Sequence, residues 1–141
     1  MSTRLVLDAS VVLGWILGEP EVFERCKPVM IALKSAHALV PAIWQAEVAN
    51  ALVVKERQKR IDEADLRRCL KHIRELAIEV DLEAGREVFD RVVPLARRHQ
   101  LSVYDACYLE LALRAKAGLA SFDKALCAAG KREGVRLFEE S

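Results

Sequence analysis

Short apolar runs alternate along this chain with longer stretches of helical periodicity, and that alternation is its strongest constraint on fold. Runs suited to buried strands fall at Arg4–Leu7, Ala38–Val40, Ile78–Val80, Leu119–Ser121 and Val135–Phe138. Between them the pattern predicts helices at roughly Val12–Leu17, Val22–Ser35, Ile43–Arg60, Glu63–Leu76, Glu83–His99, Val103–Lys116 and Lys124–Arg132. Runs this short do not by themselves separate strand from helix. Their alternation with helices does, because crossover connections let successive strands lie parallel in one sheet. The prediction is an α/β protein with about five parallel strands. Pro94 lies inside a helical pattern and is expected to kink or split that helix. Gly118 and Gly134 stand where helices end and strands begin. No repeat, linker or low-complexity tract interrupts the 141 residues, so residues 1–141 are read as one domain with a substantial core.

Composition narrows the functional classes. The 52% hydrophobic and 30% charged content suits a globular protein and excludes a disordered chain. A net charge of +1 provides no global basic field, so any nucleic-acid contact has to come from local patches. Cys26, Cys69, Cys107 and Cys127 show no C-x-x-C spacing and are read as buried free thiols, not as zinc or redox centres. No run approaches the roughly 18 apolar residues of a membrane helix, and no basic segment leads into an apolar one at the start. A cytoplasmic location is expected.

Four acids stand out because each sits where the chain is otherwise apolar or turning: Asp8 after Leu5-Val6-Leu7, Glu47 in WQAEVANAL, Asp105 in SVYDACYLELA and Asp123 in LASFDKAL. Charge near a core needs compensation. Convergent carboxylates would raise one another's pKa values, and a divalent cation relieves that repulsion. Each acid also has a plainer reading. Asp8 and Asp123 are placed to cap the helices that follow them. Ser102 to Asp105 matches a capping box. Glu47 shares a helix face with Ile43, Asn50 and Val54, where it lies at the solvated edge of the stripe or reaches into a pocket, with Asn50 one turn on to orient it or a substrate.

Taken together, LVLDASVV, PAIWQAEVANAL, SVYDACYLELAL, GLASFDKAL and the closing GVRLF resemble the PIN-domain nucleases, and more closely the VapC-type toxins of toxin–antitoxin pairs. The resemblance spans nearly the whole chain in order and spacing. It implies a PIN-like three-layer α/β/α fold with the first strand central and the acids at the carboxyl edge of the sheet. By the same resemblance Asp8, Glu47, Asp105 and Asp123 are an acidic quartet binding Mg²⁺ or Mn²⁺. Ser10 and Ser121 would line that site as small hydroxyl residues, Ser121 standing where threonine is commoner. The implied activity is metal-dependent hydrolysis of RNA phosphodiesters, with an antitoxin as partner and a homodimer as assembly. The chemistry agrees: hard cations take carboxylate oxygens, and a bound cation neutralises phosphoryl oxygens and acidifies water. Asp8 and Asp105 are the first choices as direct ligands.

Other readings compete less well. The Asp8-Ala9-Ser10 segment lacks the second acid of a D-x-D phosphatase pattern, and Ile78-Glu79-Val80-Asp81 is a poor phospho-acceptor strand end. His37, His72 and His99 have no nucleophile context and are assigned to surface or packing roles. The basic clusters Lys55–Arg60, Arg67–Arg74 and Arg97–His99 are expected to be solvated helix faces, with a minority lining an RNA groove. Trp15 and Trp44 are expected in the core or an interface. The apolar stretch from Val11 to Leu17 offers a surface for a partner or for the core. The rival of a different class is a catalytically silent PIN-like module that binds protein or RNA.

Overall fold

The computed structural model describes residues 3–83 and 88–138. Four parallel strands form one sheet in the order β3-β2-β1-β4: β1 Thr3–Leu7, β2 Ala36–Pro41, β3 Ile78–Asp81 and β4 Gly118–Ala120. β1 pairs with β2 from Thr3 opposite Ala36, and with β4 from Leu5 opposite Gly118. β2 runs beside β3 from Ala38 opposite Ile78. The inner strands are covered on both faces, which explains their unbroken apolar runs. Leu5, Val6 and Leu7 are all buried, as are Ala38, Leu39 and Val40.

Helices α1 Ala9–Leu17 and α2 Pro20–Ala32 connect β1 to β2, and α3 Ile43–Arg57 and α4 Glu63–Glu75 connect β2 to β3. α5 Val93–His99 and α6 Val103–Ala115 then lead back across the sheet to β4, and α7 Lys124–Arg132 follows. The first two connections step in one direction across the sheet and the third returns. Because such crossovers are right-handed, α1–α4 cover one face and α5–α6 the other. This is the expected three-layer arrangement with β1 inside the sheet.

Three details differ from the sequence reading. Val135–Phe138 is not a fifth strand among the described residues. It meets β4 only at a bridge between Leu119 and Leu137, with Leu119 N–H donating to Arg136 O at 2.9 Å and Phe138 N–H to Leu119 O at 2.9 Å. β4 is three residues long, so there is no ladder for a longer edge strand to follow. The helix expected over Glu83–His99 changes type near Pro94: a π-helical turn at Val88–Val92 runs directly into α5, with Pro94 in the first turn of α5. The remainder of that stretch, residues 84–87, lies outside the described residues. α4 begins at Glu63 because Asp62 and Asp65 cap each other's backbone, at 2.7 and 3.0 Å.

Gly14, inside α1, shows why this helix tolerates a poor helix former. A Cβ there would lie 2.5 Å from Val22 Cγ1 and 2.9 Å from Cys26 Sγ, so the missing side chain lets α1 and α2 pack closely. Gly14→Leu is expected to destabilise the fold by about 1–3 kcal/mol through overpacking, measured by urea denaturation. A leucine variant as stable as the wild type would show that the two helices do not approach this closely.

Candidate active site

The chain leaves β1 toward β2 on one side, while β4 arrives on the other. Between β1 and β4 the order of connection reverses, and ligands in open α/β sheets bind at such a point, outside the carboxyl ends of the strands. Asp8 directly follows β1 there, and Ser121 and Asp123 follow β4. Glu47 comes from the second turn of α3, which begins just after β2, and Asp105 from the first turn of α6. Four separate connections thus each deliver one carboxylate to the same edge.

Asp8 occupies the N-cap position of α1, yet its side chain makes no capping bond. It is 6% exposed, and its Oδ2 accepts hydrogen bonds from Ser10 Oγ at 2.8 Å and Ser121 Oγ at 2.7 Å. Those hydroxyls are fixed in turn: Ser10 Oγ accepts from Phe122 N–H at 3.2 Å and Ser121 Oγ from Asp123 N–H at 3.0 Å. Asp123 does cap α7, its Oδ1 accepting from Leu126 N–H at 2.9 Å. Asp105 starts α6, which is capped by Ser102, whose Oγ accepts the Asp105 N–H at 3.0 Å. Glu47 Oε1 accepts from the Tyr108 hydroxyl at 2.7 Å. Asp8, Glu47 and Asp123 are therefore each tied to a protein donor through one oxygen, which leaves Asp8 Oδ1, Glu47 Oε2 and Asp123 Oδ2 for another partner.

The electrostatics confirm that these acids sense one another. Glu47 is raised above the ordinary carboxylate range, first by burial and then by the charges of Asp8 and Asp105, against the Tyr108 hydrogen bond that lowers it. Asp105 is raised first by burial, then by Asp123 and Asp8, with Ser102 opposing. No three described His, Cys, Asp or Glu side chains stand close enough together to enclose an ion by themselves. The acids therefore share an edge and sense one another's charge without forming a closed carboxylate cage. The all-oxygen donor set and the mutual repulsion fit a hard divalent cation.

Other predicted residues fall into place with corrections. The face of α3 that enters the core carries Trp44, Val48 and Leu52, all buried, with Ile43 packed half-buried beside them, whereas Asn50 is exposed and Val54 half-buried. Glu47 is half-buried beside that face, while Asn50 is exposed one turn on. Trp44 is a core residue. Trp15 is half-buried and stacks on Phe23 of α2, ring centroids 4.5 Å apart. None of the four cysteines is in a disulfide; three are buried and Cys127 is half-buried. Much of the basic charge is spent on solvated helix faces: Arg67 pairs with Glu63, Arg68 with Asp65, and Arg98 with Glu133. His37 pairs with Glu79 at the surface. His99 has a buried side chain and meets Glu133 at 2.6 Å.

Two features had escaped the sequence reading. Tyr108, fully buried, contacts Glu47, and its position three residues after Asp105 places it on the same side of α6. Glu110, 3% exposed, is held by Arg114, which also binds Asp81 at 2.6 Å. The i,i+4 spacing of Glu110 and Arg114 was a visible signal for that pair, although nothing local connects them to Asp81.

Comparison with known proteins agrees with this geometry. Residues 5–132 match the PIN domain family. The chain is 30% identical over 129 residues to ribonuclease VapC9 of Mycobacterium tuberculosis, covering 92% of this chain and 93% of that protein. It is 28% identical over 123 residues to ribonuclease VapC3 of Pyrobaculum aerophilum, covering 87% and 92%. Among solved structures, PAE2754 from Pyrobaculum aerophilum superposes with a TM-score of 0.69 at 23% identity, covering 97% of this chain and 92% of that one. VapBC2 from Rickettsia felis, bound to a promoter DNA fragment, gives 0.64 at 13% identity, covering 96% and 98%. With its parallel sheet, its reversal point at β1 and its acids gathered there, this chain belongs to the PIN-domain family and to the VapC branch of it.

Proposed function

We propose that this protein is a Mg²⁺- or Mn²⁺-dependent endoribonuclease acting as the toxin of a toxin–antitoxin pair. The observation that carries the reading is the convergence of Asp8, Glu47, Asp105 and Asp123 at one edge of the sheet, with Asp8 almost fully buried. A buried carboxylate that does not cap its own helix and is held by two serine hydroxyls is built to present its other oxygen to a cation. The relatives named as ribonucleases support the same activity.

When bound, a divalent cation neutralises the phosphoryl oxygens and acidifies an attacking water. Asp8 and Asp105 would hold it directly. Glu47 and Asp123 would complete the site through water or hold a second ion. Ser10 and Ser121 keep Asp8 in one orientation, and capping α7 fixes one oxygen of Asp123. Purified protein is expected to cleave RNA with Mg²⁺ or Mn²⁺, to stop with EDTA and to resume when the metal is returned. No cleavage with metal binding intact would favour the silent module instead, and metal-independent cleavage would overturn the metal mechanism.

The toxin reading adds a homodimer in the cytoplasm and a cognate antitoxin. A guanidinium reaching the acids would replace the cation's charge and pair bidentately with a carboxylate, so inhibition by the antitoxin should weaken as Mg²⁺ rises. The test is co-purification with the product of a neighbouring gene, followed by cleavage assays across Mg²⁺ concentrations. Inhibition insensitive to Mg²⁺ would place the antitoxin elsewhere.

Stability should report the same cluster. Glu47 and Asp105 have raised pKa values in the metal-free fold. Their favourable contribution is therefore complete below the ordinary carboxylate pKa of roughly 4 and is lost as pH rises through the raised values. Rising pH therefore increases the repulsion within the metal-free cluster, so Mg²⁺ is expected to raise Tm by several degrees near neutral pH and to have less effect in acid. Asp65 and Glu133 are lowered and act in the opposite sense at the acid end. A Tm indifferent to Mg²⁺ at pH 7 would show that the acids do not share an ion.

A further inference from the structure

Tyr108 is the largest fully buried side chain among the described residues, and its hydroxyl is bonded to one of the acids. It donates to Glu47 Oε1 at 2.7 Å, and the backbone N–H of Ala9, the residue after Asp8, lies against the same phenol oxygen. Ala9 opens α1, whose N-terminus receives no side-chain cap from Asp8. The phenol thus joins α6, which carries it, to α3 through Glu47, beside the start of α1. A buried hydroxyl normally needs one partner; this one takes a carboxylate of the acid edge.

We infer that Tyr108 is a positioning residue for this site, holding Glu47 through Oε1 so that Oε2 is the oxygen turned toward Asp8 and Asp105. The inference rests on the metal-site reading above and deepens it. Glu47 is the acid that most needs such a holder. It is the only glutamate of the four, with one more rotatable bond than an aspartate, and it sits on a half-exposed flank of α3. Asp8 has two serine hydroxyls and Asp123 a backbone amide for the same purpose. With Oε1 occupied by the phenol, Glu47 offers a cation a single oxygen, which suits the small octahedral shell of Mg²⁺ or Mn²⁺.

The test is Tyr108→Phe in the full chain, which removes one oxygen and keeps the buried ring. Mn²⁺ alone is the probe, its affinity read from the free-ion electron paramagnetic resonance signal during titration. Loss of an outer hydrogen-bond partner typically weakens metal binding by about 10–100-fold, so a loss of about tenfold is expected. RNA cleavage should show kcat reduced by a similar factor with KM for RNA unchanged. Because Tyr108 acts through Glu47, Tyr108→Phe should add no further loss of Mn²⁺ affinity on a Glu47→Gln background. Additive losses, wild-type Mn²⁺ affinity in the phenylalanine variant, or a variant that cannot fold would each overturn the inference. The last result would assign the hydroxyl to stability. Wild-type protein that binds no Mn²⁺ would overturn the metal-site reading and this inference with it. Equal Mn²⁺ affinity in wild type and variant would overturn this inference alone.

Discussion

Asp8→Asn is expected to lower the rate of RNA cleavage by about a thousandfold or more while leaving the fold intact, a loss of roughly 4 kcal/mol in transition-state stabilisation. The geometry dictates how the substitution fails. Two serine hydroxyls converge on Oδ2 of Asp8. An asparagine can satisfy both only by placing its amide oxygen there, which forces its NH₂ into the position of Oδ1. The oxygen that the proposal turns toward a cation becomes a hydrogen-bond donor, and one negative charge leaves the cluster. The same change relieves repulsion on Glu47 and Asp105, both of which feel Asp8. The variant should therefore be at least as stable as the wild type without metal, and its Tm should respond weakly to Mg²⁺. Cleavage at the wild-type rate, with contaminating nuclease excluded, would sink the active-site assignment. Lost activity together with lost folding would instead make Asp8 structural.

Arg114→Met is expected to cost about 3 kcal/mol or more, and to lower Tm by roughly 10 °C in a domain of this size. Arg114 reaches from α6 to Glu110 at 2.8 Å and to Asp81, at the end of β3, at 2.6 Å. The Glu110 and Asp81 side chains are 4% and 13% exposed, so neither can turn to bulk water once the guanidinium is gone. The contact to Glu83, 3.7 Å away on a side chain 85% exposed, adds little. Most of the penalty is the buried Glu110 charge deprived of its guanidinium and not a lost contact, so Arg114→Met combined with Glu110→Leu should recover much of it. Chemical denaturation of the single and double variants measures both numbers. A double variant no more stable than the single one would show that the arginine contributes by some other means. Cleavage per folded molecule should be unchanged, because this network is separate from the four acids.

Much of the architecture was legible in the chain. The strands buried on both faces announced themselves as Leu5-Val6-Leu7 and Ala38-Leu39-Val40, because a strand covered by helices on both sides has no solvated face to encode. Pro94 marked the irregularity where a π-helical turn passes into α5, through its missing N–H and fixed φ. The fifth strand was over-read because apolar character at Val135–Phe138 reports burial, whereas pairing also needs a partner of sufficient length, and β4 ends after three residues. The core face of α3 was misassigned by one residue. Glu47 occupies a position apolar enough in its spacing to be taken for the stripe itself, while Trp44, Val48 and Leu52 point inward.

The four acids were visible singly, and each had an adequate local explanation. Local chemistry was in fact used at two of them: Asp123 caps α7, and the backbone of Asp105 is held by Ser102. It was not used at Asp8, whose side chain leaves its own helix uncapped. That distinction depends on Ser121, which is 113 positions away in sequence and adjacent only because β4 pairs with β1. The link from Tyr108 to Glu47 spans 61 positions, and that from Arg114 to Asp81 spans 33. By itself the sequence determined what burial, backbone geometry and residue spacing encode: the strands, the helix breaks, and the acids as candidates. Which carboxylates meet, which oxygen of each is already occupied, and which buried charge needs an arginine were decided only by the tertiary structure. Those properties are pairwise energies between groups brought together by sheet order and crossover handedness, and no local pattern carries them.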